Sequence, residues 1–249
     1  MTTVLAAVDA TPAAGPVLQT ATRLARLLEA NTLAIHVGHD PGPAREVAEE
    51  LGASMIVVRG EPDDEIVRAG ERPDVVLVVL ALSGPPSSHA AGHTAQAVAT
   101  RLSKPVLVVP SGIAPRATLT RVLFPLDGNR GVSAALRPLI AAYVAVGFEV
   151  IALHVFQPDT VPRFLDRPED INLWREEFLA EHCAELGIRL VTRPGPTTAS
   201  LLDVAITEDV DIIAMGWHQD LSSQHAAVVR RVLMRADRPV ALIPLPDLP

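Results

Sequence analysis

The chain holds a single cysteine, Cys183, and only 3% of its 249 residues are aromatic. One cysteine excludes an internal disulfide framework and points to a reducing compartment. Two tryptophans, one tyrosine and five phenylalanines build no platform on which nucleic-acid bases stack. Lys and Arg number 21 against 29 Asp and Glu and form no cluster, so no surface offers itself to a phosphate backbone. No apolar run reaches membrane-spanning length, and the chain opens directly into a strand pattern with no charged-then-apolar leader. A Gly-x-Ser-x-Gly elbow is also missing, which removes the simplest route to nucleophilic catalysis. These absences predict a cytoplasmic protein that engages neither nucleic acid nor membrane.

What is present is a globular composition, 49% hydrophobic and 20% charged, and a pattern stated twice. Val4-Leu5-Ala6-Ala7-Val8-Asp9 returns as Val122-Leu123-Phe124-Pro125-Leu126-Asp127, and Leu33 to Val37 with His36 returns as Ile151 to Val155 with His154. Both marks lie 118 residues apart. The separation grows to 137 between Asp74 and Asp211 and settles at 134 between Lys104-Pro105-Val106 and Arg238-Pro239-Val240. Two copies of one unit follow, over residues 1–110 and 120–249, joined by a linker over 111–119 that carries Gly112 and Pro115.

Each copy reads as alternating strands and helices. Short apolar runs without polar alternation, such as Val4 to Val8, are strands buried on both faces of a parallel sheet. Val17, Ala21, Leu24, Leu27 and Leu28 recur at helical spacing, which predicts a helix over 12–30 with Thr11 as its N-cap and Pro12 at its first position. Five such β-α pairs per copy predict an α/β fold of two tandem, doubly wound open sheets, each with five parallel strands. The second crossover of copy two is longer, and its helix is expected over about 169–186.

In open α/β sheets ligands bind beyond the carboxyl ends of the strands, where the strand order reverses. That rule selects Asp9 and Asp127, each the first polar residue after a buried strand, and the loops after the fourth strands. A carboxylate there either accepts hydrogen bonds from a ligand or caps the helix that follows; both readings stay open.

The Asp after strand one, the turn before the third helix (Gly60-Glu61-Pro62; Gly195-Pro196) and the closing Ser103-Lys104-Pro105-Val106-Leu107-Val108-Val109-Pro110 and Ala236-Asp237-Arg238-Pro239-Val240-Ala241-Leu242-Ile243-Pro244 together resemble the universal stress protein family. The resemblance spans essentially the whole chain. It implies strand order 3-2-1-4-5 in each domain and pairing of the two domains about a pseudo-two-fold axis, commonly through the fifth strands. A tandem chain supplies that dimer internally; a further homodimer and a protein partner stay open. Many members bind ATP through a loop after strand four reading Gly-x-x-Gly, nine residues, Gly-Ser/Thr, in which glycines admit the phosphates to the backbone and a helix start holds the anion.

Both copies depart from that loop. In copy one its positions fall on Val79, Leu82 and Gly92, with His93 in place of Ser/Thr, and Gly84-Pro85-Pro86 removes N–H donors. In copy two Gly216 stands first, Gln219 second, and Ala226-Ala227 last. The expectation is therefore a stress-response protein that acts by ligand binding or protein interaction without conventional catalysis, holding no cofactor. The alternative is an ATP-binding switch with slow or no hydrolysis, in the second copy, through Asp127, Gly128, Gly216 and His218 with Ala226 and Ala227 at the helix start. The matching set in copy one is Asp9, Gly92 and His93.

Other residues carry two readings each. His89 and His93 have the spacing of a metal pair on a helix but no third ligand, so no metal site is expected; His93 alternatively meets an anion. Trp217, beside His218 and near His225, either fills the pocket or stacks on a ligand. His36 and His154 line the pocket or support the fold, within reach of Asp9 and Asp127. Ser87-Ser88 and Ser222-Ser223 either donate to a ligand or face solvent. Phe164, Leu165 and Trp174 offer an apolar surface to a partner, and Cys183 is a surface or core thiol on its helix.

Overall fold

The computed structural model describes residues 1–82, 92–157, 161–162, 167–183, 186–220 and 224–246. The first domain runs β1 (Thr3–Val8), α1 (Ala14–Leu27), β2 (Asn31–Val37), α2 (Pro43–Glu50), β3 (Ser54–Val58), α3 (Pro62–Gly70), β4 (Val75–Leu82), α4 (His93–Arg101) and β5 (Val106–Pro110). The second runs β6 (Arg121–Pro125), α5 (Arg130–Ala145), β7 (Glu149–Phe156), α6 (Pro168–His182), β8 (Arg189–Pro194), α7 (Thr197–Thr207), β9 (Ile212–Trp217), α8 (Gln224–Arg235) and β10 (Val240–Pro244).

All ten strands join in one sheet of order β3-β2-β1-β4-β5-β10-β9-β6-β7-β8. Each half has the order 3-2-1-4-5, with parallel neighbours throughout, and the halves meet where β5 and β10 run antiparallel. Leu107 pairs with Ala241, while Val106 and Val108 pair with Leu242 and Val240. The lysine- and arginine-led closing motifs put Leu107 and Ala241 at matching positions, so the pairing is self-complementary about that one pair, as a two-fold requires.

Strand residues alternate between faces, and this sorts the core into two layers that each run through both domains. Val4, Ala6 and Val8 lie with residues of α1, α2, α5 and α6 on one face. Leu5 and Ala7 lie with residues of α3, α4, α7 and α8 on the other. Both faces of a parallel sheet are thus covered, which explains the unbroken apolar runs.

Two helix boundaries differ from the sequence-based expectation. Helix α1 begins at Ala14 with Ala13 as its N-cap and no side-chain cap, because Thr11 is held by Asp9, whose Oδ1 accepts from the Thr11 amide at 3.0 Å and from its hydroxyl at 2.6 Å. Helix α6 ends at His182 with Cys183 as its C-cap, short of the expected 186. Asp74 and Asp211 repeat one structural task. Asp74 accepts from the Thr3 hydroxyl at 2.9 Å, and Asp211, 3% exposed, accepts from the backbone amides of Thr120 and Arg121 at 2.6 and 2.8 Å. Each carboxylate ties the foot of its domain's first strand to the fourth.

Candidate functional site

In each domain the first and fourth strands are neighbours whose connections leave to opposite faces, and a cavity opens beyond their carboxyl ends. In the first domain it measures about 190 Å³ and is lined by Val8, Asp9, Ala14, Val17, Ile66, Leu80 and Thr94 among others. In the second it measures about 340 Å³, and Leu126, Asp127, Leu136, His154, Gln157, Thr197, Leu201, Gly216 and Val228 are among its walls.

The two aspartates act alike. Asp9 holds the turn to Thr11, and Asp127 accepts from the Asn129 amide through Oδ1 at 2.8 Å. Neither is a helix N-cap: that position in α5 belongs to Asn129, whose side chain accepts from Val132 N at 3.1 Å. The short Asx turn instead fixes each carboxylate at the mouth of its cavity.

The histidines that end the second strands are also equivalent. His36 Nδ1 lies 3.1 Å from the carbonyl oxygen of Val8, and His154 Nδ1 lies 2.9 Å from that of Leu126. A carbonyl only accepts, so Nδ1 carries the proton in both and donates, and the contact is to the residue before the aspartate. What covers the rings differs. Gly38, at φ +153°, closes over His36, and a Cβ there would stand 2.8 Å from its Nε2. In the second domain the strand continues to Phe156, and His154 lies 4.8, 5.3 and 5.0 Å from the ring centres of Phe156, Trp174 and Phe178. Burial in this cluster pushes the His154 pKa below its ordinary value, with Leu126 O and Asp127 opposing, so the imidazole is neutral at physiological pH.

The cluster extends to His182, 4.3 Å from Phe178. Ser133 donates its hydroxyl proton to Asn129 O at 2.9 Å, so at 3.0 Å it accepts from His182 Nδ1. Cys183 is a core thiol, 2% exposed, and burial raises its pKa to about 11; it is not a nucleophile at neutral pH.

Of the residues singled out in the second copy, Asp127 and Gly216 reach the cavity. Gly216 is flanked by Leu245 and Leu136, whose methyl carbons would stand 3.0 and 3.2 Å from an added Cβ. Gly128, at φ +88°, lies over His154 and Phe178. His218 is exposed and Ala226 is buried, and neither lines the cavity; Ala227 faces a different groove, between α7 and α8. In the first domain Gly92 is the N-cap of α4 at φ +75°, and Thr94 rather than the exposed His93 reaches the cavity. His89, the four serines and Phe164 and Leu165 lie outside the described residues, as does the side chain of His225. No group of three or more His, Cys, Asp or Glu that could hold a metal occurs among the described residues. Trp217 fills space: it is 3% exposed, in the core with Val229, Val232 and Leu233.

Gln219 explains one departure from the phosphate loop. Its backbone sits at φ +58°, a conformation that favours glycine. Its amide donates both hydrogens across the domain boundary, to Ala99 O and Leu102 O at 2.8 Å each. The side chain thereby satisfies carbonyls that the end of α4 leaves unpaired. Sequence reading missed this use, and also missed Gln157 and Thr197, which hydrogen-bond to each other at the cavity wall; Thr197 opens a helix, and only that position marked it.

Sequence and structure comparisons agree with this architecture. The model of the universal stress protein family matches residues 43–110 and 118–244, well over half the chain. The protein belongs to the universal stress protein family, as a member with two tandem domains. A universal stress protein from Archaeoglobus fulgidus DSM 4304 is similar in structure, with TM-score 0.66 at 18% identity over 98% of this chain and 97% of its own. A functionally unknown protein from Pseudomonas aeruginosa PAO1 has TM-score 0.70 at 14% identity over 98% of this chain and 92% of its own. At such identities the likeness concerns the fold. No match to a curated protein accompanies the family match. Among the described residues no helix is long and apolar enough to cross a membrane.

Proposed function

We propose that this protein works by binding: its second domain takes a small ring-bearing molecule of the adenine nucleoside class, and its first domain serves as the structural partner. The observation that carries the reading is the difference between two equivalent cavities, about 340 Å³ in the second domain against about 190 Å³ in the first. Only the larger reaches the size range of ordinary small-molecule pockets. Its walls suit a ring: Leu126 just after β6, leucines from α5, β7 and α7, the neutral His154, and polar groups confined to Asp127, Gln157 and Thr197. The carboxylate of Asp127 accepts from a ribose hydroxyl or an exocyclic amine.

The ATP-binding switch is the weaker reading. Gln219 donates to the first domain and Ala226 offers no hydroxyl, which weighs against a triphosphate cradle after β9. Signalling through an apolar second crossover is weakened as well, because Trp174 packs on His154, Phe156 and Phe178.

Denaturing the freshly purified protein and separating the released small molecules with mass detection, followed by calorimetric titration with adenosine, tests the proposal. Co-purified adenine compound or saturable heat, abolished by Gly216→Leu, is the expected result. No released compound and no heat would overturn it and leave protein interaction as the function.

A further inference from the structure

The two domains differ at the start of their third helices, and the difference exposes a second site. In the first domain Asp63 and Asp64 are the second and third residues of α3, and Arg101 is the last residue of α4. Arg101 reaches across to both carboxylates, at 3.0 Å to Asp63 and 2.7 Å to Asp64. The same carboxylates lie in the first turn of α3 and complement its positive end. The anion that this corner of the fold requires is built into the chain.

In the second domain the second and third residues of α7 are Thr198 and Ala199, and the last residue of α8 is Arg235. The correspondence is secure, since Ile66 and Leu201, each fifth in its helix, line their own domain's cavity. The arginine is common to both domains, and the two carboxylates stand only in the first. A second arginine, Arg231, lies one turn earlier on α8, the i, i+4 spacing that puts both on one face. Helix α7 has no acidic residue in its first turn and no side-chain cap. Where the aspartates would stand there is an open groove of about 780 Å³ lined by Thr198, Ala199, Arg231 and Arg235. Neither arginine has an ion pair among the described residues, in a chain of net charge −8.

We infer that this groove is an oxyanion site, in which the phosphate of a ligand takes the place of the Asp63 and Asp64 carboxylates. Two guanidinium groups and a serviceable hydroxyl, that of Thr198, converge there with the uncapped amides of α7, a donor set suited to a phosphate monoester. The groove adjoins the β6–β9 cavity, since Gln157, Thr197 and Val228 line both. The joint reading rests on the nucleoside proposal above: a nucleoside monophosphate lays its ring in the cavity and its phosphate between α7 and α8, away from the altered loop after β9.

The test is calorimetric titration of the full chain at low ionic strength with adenosine, AMP and inorganic phosphate. It is run on the unmodified protein, on Arg231→Gln/Arg235→Gln, and on Thr198→Asp/Ala199→Asp, which restores the first domain's built-in anion. AMP is expected to bind about tenfold or more tightly than adenosine, and both double variants to erase that advantage while adenosine affinity stays within about twofold. Thermal melts verify that the variants fold. Equal binding of AMP and adenosine by the unmodified protein, or an AMP advantage that survives in both variants, would overturn the inference. Phosphate binding that disappears in the variants, with no heat from adenosine, would support the anion site and sink the nucleoside reading. Silence from all three ligands would sink both.

Discussion

The two domains are copies of one fold that satisfy the same corners by different means. The first closes itself: Asp63 and Asp64 hold Arg101, Gly38 covers His36, and a small cavity remains. The second leaves those corners open and fills its other face with rings, so that Phe124 stands where the first domain has Ala6, and Phe156 where it has Gly38. The proposed division of one duplicated unit between support and binding rests on these differences, within a single sheet whose two core layers pass through both halves.

Phe124→Ala strikes this contrast hardest, since it gives the second domain the small residue that the first domain uses. The side chain is fully buried and meets Tyr143 edge-on at 5.6 Å, and its loss is expected to cost about 3–5 kcal/mol. Denaturant unfolding followed by tryptophan fluorescence reports on the second domain alone, because both tryptophans, Trp174 and Trp217, lie there. A loss under about 1 kcal/mol would show that the second core collapses as freely as an aliphatic one.

Next in size is a pair of glycines at opposite ends of the fourth strands' connections, Gly92 at the start of α4 and Gly216 near the end of β9. Gly92→Ala places a Cβ 2.5 Å from Leu82 Cδ1 at φ +75°, and the backbone strain alone is worth about 1–3 kcal/mol. Gly216→Ala meets only the ends of Leu245 and Leu136, so it should cost less stability while narrowing the second cavity. Reversed magnitudes in thermal melts would break the assignment of support to one domain and binding to the other.

Gln219→Ala removes two hydrogen bonds between the domains, with an expected cost of about 1–2 kcal/mol. Because the bonds join the halves, unfolding should become less cooperative, with the fluorescence and circular dichroism transitions separating. Coincident transitions at unchanged midpoint would remove Gln219 from the interface.

The smallest effect is a pH dependence carried by two buried histidines of the second domain. Burial lowers the pKa values of His154 and His182. Between each lowered value and the ordinary one near 6.5, the unfolded chain binds more protons than the folded one, so stability falls as pH drops below about 6.5 and levels off above it. Tryptophan-detected melts at neutral and mildly acidic pH should show that slope, flattened in His182→Gln. A melting temperature independent of pH over that range would contradict the buried, neutral assignment.

Much of the fold was legible because its signals are local. A buried parallel strand needs four or five apolar residues in a row, an amphipathic helix repeats every third or fourth residue, and a duplication repeats both, so the ten strands could be read from the pattern, while their order came only with the resemblance to the family. The misplaced start of α1 shows where local reading fails. Thr11 looks like an N-cap, but Asp9 competes for its amide and hydroxyl. Asp127 was legible as a residue at the cavity through the rule about strand ends, and Gly216 through its place in the family's loop pattern; both line the cavity. His218 was not excluded, since its exposure depends on a loop anchored by Gln219 to the other domain.

By itself, then, the sequence determined the repeat, the alternation of strands and helices in each half and the departures from the family's loop pattern at Leu82, His93 and Gln219, all of which depend on residue type at fixed spacing. The tertiary structure alone decided that Gln219 binds α4, that Arg101 is paired while Arg235 has no ion pair among the described residues, and that one cavity is nearly twice the other. Each of those depends on contacts between residues tens of positions apart, Gln219 and Leu102 being 117 apart, and such distances are set by packing, which no local pattern encodes.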